Sequence, residues 1–178
     1  MKKEFVKQPF EPVFDSNSRI LILGSFPSIV SRKQQFYYMN PQNRFWKILD
    51  ALFETSFYHS SKEEKIAQLK QLHIALYDVV ESCVITNSSD ATIQQVSPIF
   101  LTTILKNTNI FKIYLNGQTA YRLFLKFFPQ FKNYCQLLPS TSSANAQYSL
   151  SKLIEAWSVI QFDLSKQNEL PLKQQFSI

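Results

Sequence analysis

With 178 residues, 45% of them hydrophobic and 15% aromatic, the chain has the length and apolar content to bury one substantial core, which excludes a disordered polypeptide. Lys and Arg number 19 against 13 Asp and Glu, giving a net charge of +6; such an excess attracts a polyanion through its long-range field, although an unspecialised basic surface has the same composition. No apolar run reaches the ~18 residues of a membrane span, and the charged opening Met1-Lys2-Lys3-Glu4 is unlike a signal-peptide core. The expectations are no membrane contact, a cytoplasmic location and a monomer.

In chain order, residues 19–23 form the first predicted strand, an apolar run of buried-strand length. Helical patterns follow at 45–53, after Pro41, and at 62–72. A second strand is expected at 74–80, a helix at 99–106, a third strand at 110–115, a helix at 118–128 and a fourth strand at 134–138. The last helix, 150–160, carries Leu150, Leu153, Ile154 and Trp157 at spacings of three and four. From about residue 163 the chain turns polar, and 163–178 is expected as a tail that frays. There is no internal repeat. Alternation of apolar strands with helices predicts an α/β fold, a three-layer α/β/α sandwich around a central, mainly parallel four-stranded sheet, in one domain spanning 1–178.

In such sheets ligands bind outside the carboxyl ends of the strands. Those ends are polar here: Gly24-Ser25-Phe26-Pro27-Ser28, then Asp78 with Glu81-Ser82, then Asn116-Gly117, and last the stretch from Pro139 to Asn145. Gly24 and Gly117 are the only two glycines of the chain, where average usage would supply about 12. Each therefore marks a tight strand-to-helix turn or a close approach to a ligand.

The segment after the first strand holds Tyr37, Tyr38, Asn40, Asn43, Arg44, Phe45 and Trp46. Flat rings stack on nucleobases, and amides offer donor and acceptor together. Phe45 and Trp46 are read mainly as core. Asn43, beside a helix start, is either a helix cap or a pocket residue, and Asp78 either pairs near its strand end or faces a ligand. Ser140, Thr141, Ser142 and Asn145 either cap the next helix or form a phosphate site. Cys83 and Cys135 stand apart, with no CxxC spacing for zinc or an iron–sulfur cluster, and read as reduced core thiols; no metal or cofactor is expected. A serine hydrolase built on Ser25 is disfavoured because GxSxG is absent and His59 and His73 lie in or beside helical, exposed stretches.

Four segments, Gly24-Ser25-Phe26-Pro27-Ser28, Tyr37-Tyr38 with Asn40-Pro41-Gln42-Asn43-Arg44-Phe45-Trp46, Tyr77-Asp78-Val79-Val80 and Leu138 to Ala146, together resemble the uracil-DNA glycosylase superfamily in its hypoxanthine-DNA (deoxyinosine) glycosylase branch. The resemblance covers roughly residues 18–160. It departs at two places: Asn40-Pro41-Gln42-Asn43 stands where that branch has His-Pro-Arg-Asn, and Ser142-Ser143-Ala144-Asn145 where it has Ser-Pro-Ala-Asn.

The resemblance implies a monofunctional DNA repair glycosylase that flips a deaminated base, hypoxanthine with uracil or xanthine as alternatives, and hydrolyses its N-glycosidic bond to leave an abasic site. On that reading Asn43 is catalytic, and Gly24, Ser25, Phe26, Tyr38 and Asp78 form the base pocket, with Phe26 stacking on the base and Asp78 accepting its ring NH. Ser140, Thr141, Ser142 and Asn145 hold DNA phosphates and press on the minor groove. The partner is DNA containing deaminated bases, no cofactor is required, and no lysine is singled out as a Schiff-base nucleophile. A catalytically inactive nucleic-acid-binding protein of the same fold is the alternative.

Overall fold

A computed structural model describes residues 3–86 and 92–178. Four parallel strands, β2 (Ile20–Gly24), β3 (Ile74–Asp78), β6 (Lys112–Asn116) and β7 (Cys135–Leu138), form a sheet in the order β3-β2-β6-β7. The central strand β2 pairs on both sides, Gly24 opposite Asp78 in β3 and Leu23 opposite Leu115 in β6. Its run Ile20-Leu21-Ile22-Leu23 is fully buried because alternate side chains enter opposite layers.

Ile20 and Ile22 pack with α2 (Phe45–Phe53), α3 (Lys62–Gln71) and α6 (Leu150–Trp157), through Trp46, Leu49, Leu69, Leu153 and Trp157. Leu21 and Leu23 pack on the other face with α4 (Leu101–Lys106), α5 (Gln118–Phe127) and α8 (Leu172–Gln175), through Ile104, Leu105, Phe124 and Leu172. Each of those buried aliphatic side chains contributes about 1.5–3 kcal/mol from apolar transfer, so the sheet is held mainly by its two helical layers. The architecture is the expected three-layer α/β/α sandwich.

The expected strand at 74–80 is interrupted. β3 ends at Asp78, and after Val79 the chain enters a second, antiparallel sheet as β4 (Val80–Thr86), between β1 (Lys3–Lys7) and β5 (Gln94–Pro98). Three backbone hydrogen bonds fix the switch: Val79 N–H to Gly24 O at 2.8 Å, Val80 N–H to Ser25 O at 3.1 Å and Ile99 N–H to Val79 O at 3.0 Å. β1 and β5 are absent from the expected elements, since their sequences KEFVK and QQVSP are largely exposed and polar.

A short helix, α1 (Ile29–Gln34), also goes beyond them; Ser28 caps it by accepting from Ser31 N–H. The expected helix at 150–160 breaks at Ser158, and α7 (Val159–Ser165) continues from there.

The segment from residue 163, expected to fray, is instead packed. Leu172 is fully buried and its N–H bonds Ile110 O at 2.8 Å, while the Phe176 ring lies 4.6 Å from that of Phe131. Asp163 is buried, accepting from Tyr114 Oη and pairing with Lys166 at 2.8 Å, and Arg19 donates to Leu164 O and Lys166 O. The polar composition of the segment conceals these few apolar and charged attachments. Among the described residues no helix is long and apolar enough to cross a membrane.

Candidate functional site

A cleft of about 440 Å³ opens at the carboxyl ends of the four parallel strands, where such sheets bind ligands. Gly24 ends β2 and Ser25 and Phe26 follow it, Asp78 ends β3, Asn116 ends β6, and Ser140, Thr141 and Ser142 follow β7. Tyr37, Tyr38 and Asn43 enter from the connection between α1 and α2, and Ile85 and Ile93 from the small sheet. Of the expected site residues, Asn145 alone does not line the cleft; its Nδ2 donates to Ser140 O at 3.0 Å and braces the loop from behind.

Asn43 precedes α2. Its Oδ1 accepts from Phe45 N–H at 3.0 Å and from Thr141 Oγ at 2.8 Å. The first bond fixes the amide orientation, because a backbone N–H can only donate. Asn43 thus sits one residue before the N-cap, Arg44, tied to the first helical amide, and it faces the cleft as well. Its Nδ2 makes no hydrogen bond to the described residues, and this end of the amide is open to a ligand.

Thr141 is fully buried and bonds inward. It receives Asn116 Nδ2 at 3.0 Å on its hydroxyl and gives its own N–H to Asn116 Oδ1 at 3.0 Å. Thr141 lines the cleft with its hydroxyl committed between two amides, those of Asn43 and Asn116. Asn116 is the residue sequence reasoning undervalued. Its signal was an amide at a strand end, read there only as part of a turn.

The loop after β7 does not cap the next helix. Ser149 caps α6, accepting from Lys152 N–H. The loop is shaped by Ser142 N–H to Ser140 Oγ and Ala144 N–H to Ser142 Oγ, both 3.2 Å, and is clamped by Arg44. The Arg44 guanidinium donates to Thr141 O at 3.3 Å, Ser142 O at 2.6 Å, Asn145 O at 3.1 Å and Tyr148 O. One rigid five-donor fork thereby gathers carbonyls that would otherwise face solvent or go unpaired.

Asp78 is 4% exposed, and its Oδ2 accepts from Gln8 Nε2 at 2.7 Å, a contact across 70 residues that nothing in the sequence signals. A Cβ on Gly24 would stand 2.5 Å from Asp78 Oδ1 and 2.8 Å from Tyr38 Oη, so glycine is required there for close approach. Gly117 is required for a different reason, its φ of +94°. Tyr38, itself at φ 53°, stacks on Phe45 with ring centroids 4.1 Å apart. Behind Asp78, burial pushes the Tyr37 phenol well above its ordinary pKa and that of Tyr77 up to about 12, the nearby Asp78 carboxylate adding to both. These phenols stay neutral against the carboxylate.

Phe45 and Trp46 are buried in the core. Neither cysteine is in a disulfide; Cys83 is buried and Cys135 only partly buried. His59 and His73 are exposed and outside the cleft, so Ser25 has no histidine base there. Among the described residues no group of three or more His, Cys, Asp or Glu comes together that could hold a metal.

Residues 11–161 match the model of the uracil DNA glycosylase superfamily. Two curated relatives are named hypoxanthine DNA glycosylase. The one from Methanosarcina barkeri is 38% identical over 76 residues, 43% of this chain and 48% of the relative. The other, from Methanosarcina acetivorans, is 38% identical over 88 residues, 49% of this chain and 56% of the relative. The chain thus spans about half the length of these relatives. A solution NMR structure from Methanosarcina acetivorans, described as a candidate uracil DNA glycosylase, superimposes with a TM-score of 0.77 at 28% identity, covering 92% of this chain and all of that one (100%). With its strand-end cleft and a family match over most of its length, the chain belongs to the uracil DNA glycosylase superfamily.

Proposed function

We propose that the protein is a monofunctional DNA glycosylase that removes a deaminated base, hypoxanthine foremost, and leaves an abasic site. The observation that carries the reading is the convergence of the Asn43 amide and the Asp78 carboxylate on one strand-end cleft. The names of the two Methanosarcina relatives supply the base.

Deamination turns the adenine edge, donor N6 beside acceptor N1, into a lactam edge with acceptor O6 beside donor N1–H. A carboxylate only accepts. Asp78 therefore welcomes the ring NH of hypoxanthine, xanthine or uracil and meets a lone pair in adenine. Phe26, Gly24, Ser25 and Tyr38 shape the pocket around a base withdrawn from the stack. Asn43, with both Oδ1 lone pairs occupied, uses Nδ2 to hold a water by its oxygen beside the sugar carbon. Bond breaking that runs ahead of water attack needs this positioning more than it needs a strong base. Ser140 and Ser142, at the cleft rim, supply hydroxyls for the DNA backbone, and Asn145 sets the loop that carries them.

The test is base release from duplexes containing hypoxanthine, xanthine or uracil, with wild type beside Asn43→Ala and Asp78→Ala. Expected are release of hypoxanthine by wild type and a loss of about 10²-fold or more in Asn43→Ala. No release of any deaminated base, with DNA binding retained, would instead establish a binding protein of the same fold, the reading that Asn40 and Gln42 favour. Full activity in Asn43→Ala would remove its catalytic role.

A further inference from the structure

Among the described residues the cleft is lined by one carboxylate, Asp78, and one cation, Arg32 of α1. Among the same residues Arg32 makes no ion pair, its Nε is buried without a hydrogen-bond partner, and its guanidinium lies 5.9 Å over the Phe26 ring. A buried guanidinium donor left unsatisfied is costly in the ligand-free protein. An acceptor or an anion that draws the guanidinium into the cleft offsets that cost.

From this arrangement, and resting on the glycosylase reading above, we infer that Arg32 is a catalytic residue that takes up the negative charge of the departing base. In hydrolysis the C1′–N9 bond breaks with its electron pair passing to purine N9. The oxygen of water then bonds to C1′, and a proton from that water finally neutralises the purine anion. Asp78, hydrogen-bonded to the ring NH, opposes build-up of negative charge on the same ring. A cation lining the same cleft offsets that opposition, more strongly the less water remains around the bound base. With Asp78 accepting the ring NH, a donor from Arg32 at the neighbouring carbonyl would complete a pair that fits the deaminated base and repels adenine at both positions. In the transition state the ring carbonyl gains charge, and a donor at that oxygen binds more tightly than in the ground state.

The experiment compares wild type, Arg32→Gln and Arg32→Lys in single-turnover base release. The duplexes carry hypoxanthine, 8-azahypoxanthine (a better leaving group) or 7-deazahypoxanthine (a poorer one), all with the same O6 and N1–H edge. Expected for Arg32→Gln is a loss of about 10²-fold on hypoxanthine, a smaller loss on the 8-aza base and a larger one on the 7-deaza base, with partial recovery in Arg32→Lys. An equal proportional loss on all three bases overturns the assignment. So does weaker DNA binding with a shallower salt dependence and unchanged leaving-group sensitivity, which would mark Arg32 as a phosphate contact. Wild type that releases no base overturns the glycosylase reading itself, whereas an active wild type with unaltered leaving-group sensitivity in Arg32→Gln overturns this inference alone.

Discussion

The Thr141 hydroxyl donates to the Asn43 side-chain carbonyl at 2.8 Å across a sequence separation of 98 residues, while accepting from the Asn116 amide. The direction of each bond is fixed, so the Asn43 amide is held from behind. In Thr141→Val the shape survives but the relay is lost, and the expected result is an approximately tenfold fall in the single-turnover rate of base release, with little change in DNA affinity. Asn116→Ala should act in the same direction, and the two losses should not add, because both act through one relay.

Gly24→Ala puts a methyl group 2.5 Å from the Asp78 carboxylate. The neighbour is buried, which makes the clash expensive: about 1–3 kcal/mol of lost stability is expected from overpacking, read as a lower urea midpoint, together with loss of base release. Adding Asp78→Ala removes the clashing oxygen. The Tyr38 hydroxyl, 2.8 Å from the same methyl group, remains, so the double variant should regain only part of the midpoint and no activity.

Arg44→Lys keeps the charge and abandons the fork. Several loop carbonyls then share one ammonium, and about 1–3 kcal/mol of stability should be lost. Hydrogen exchange at the Asn145 and Tyr148 amides, which bond Ser142 O and Asn145 O, should accelerate. KM for damaged DNA should rise more than kcat falls.

Alkali should unfold the protein steeply. Burial is the first cause that raises the Tyr37, Tyr77 and Tyr114 phenols, the Asp163 hydrogen bond adding to the shift at Tyr114, and Tyr77 reaches about 12. The folded protein holds these protons more tightly than the unfolded chain, whose phenols ionise near 10. Their stabilisation is complete below pH 10 and is lost progressively above it, that of Tyr77 as pH rises through about 12. The urea midpoint should be flat in this respect up to about pH 9.5 and fall above it, less steeply in Tyr114→Phe.

The central sheet and its layers were legible because each strand is a short apolar run and each major helix carries an apolar face, as in the exact agreement of 45–53 with α2. What was hidden has a common cause. β1 and β5 present mostly exposed, polar residues and are strands only because β4 offers them partners. The packed C-terminal segment depends on a few attachments, Leu172 and Asp163 among them, within a polar stretch. At the site, Gly24 and Asp78 were visible as flexible or polar residues at strand ends, and Asn43 as an amide beside a helix start. The inward turn of Thr141 and the contact of Gln8 with Asp78 are long-range facts with no local pattern. Arg32 resembled any surface cation on a short helix.

The passage from β3 to β4 through Val79 alone joins the floor of the cleft to its side wall with no intervening loop. Such a joint has no slack: moving the small sheet outward would pull Val79 and Val80 from the carbonyls of Gly24 and Ser25 that anchor them. This wall is a fixed jaw. On the glycosylase reading proposed above, discrimination then falls on the entering nucleotide, which must fit a receptacle of set dimensions, and adaptation to a differently shaped lesion would have to come from substitutions in the wall.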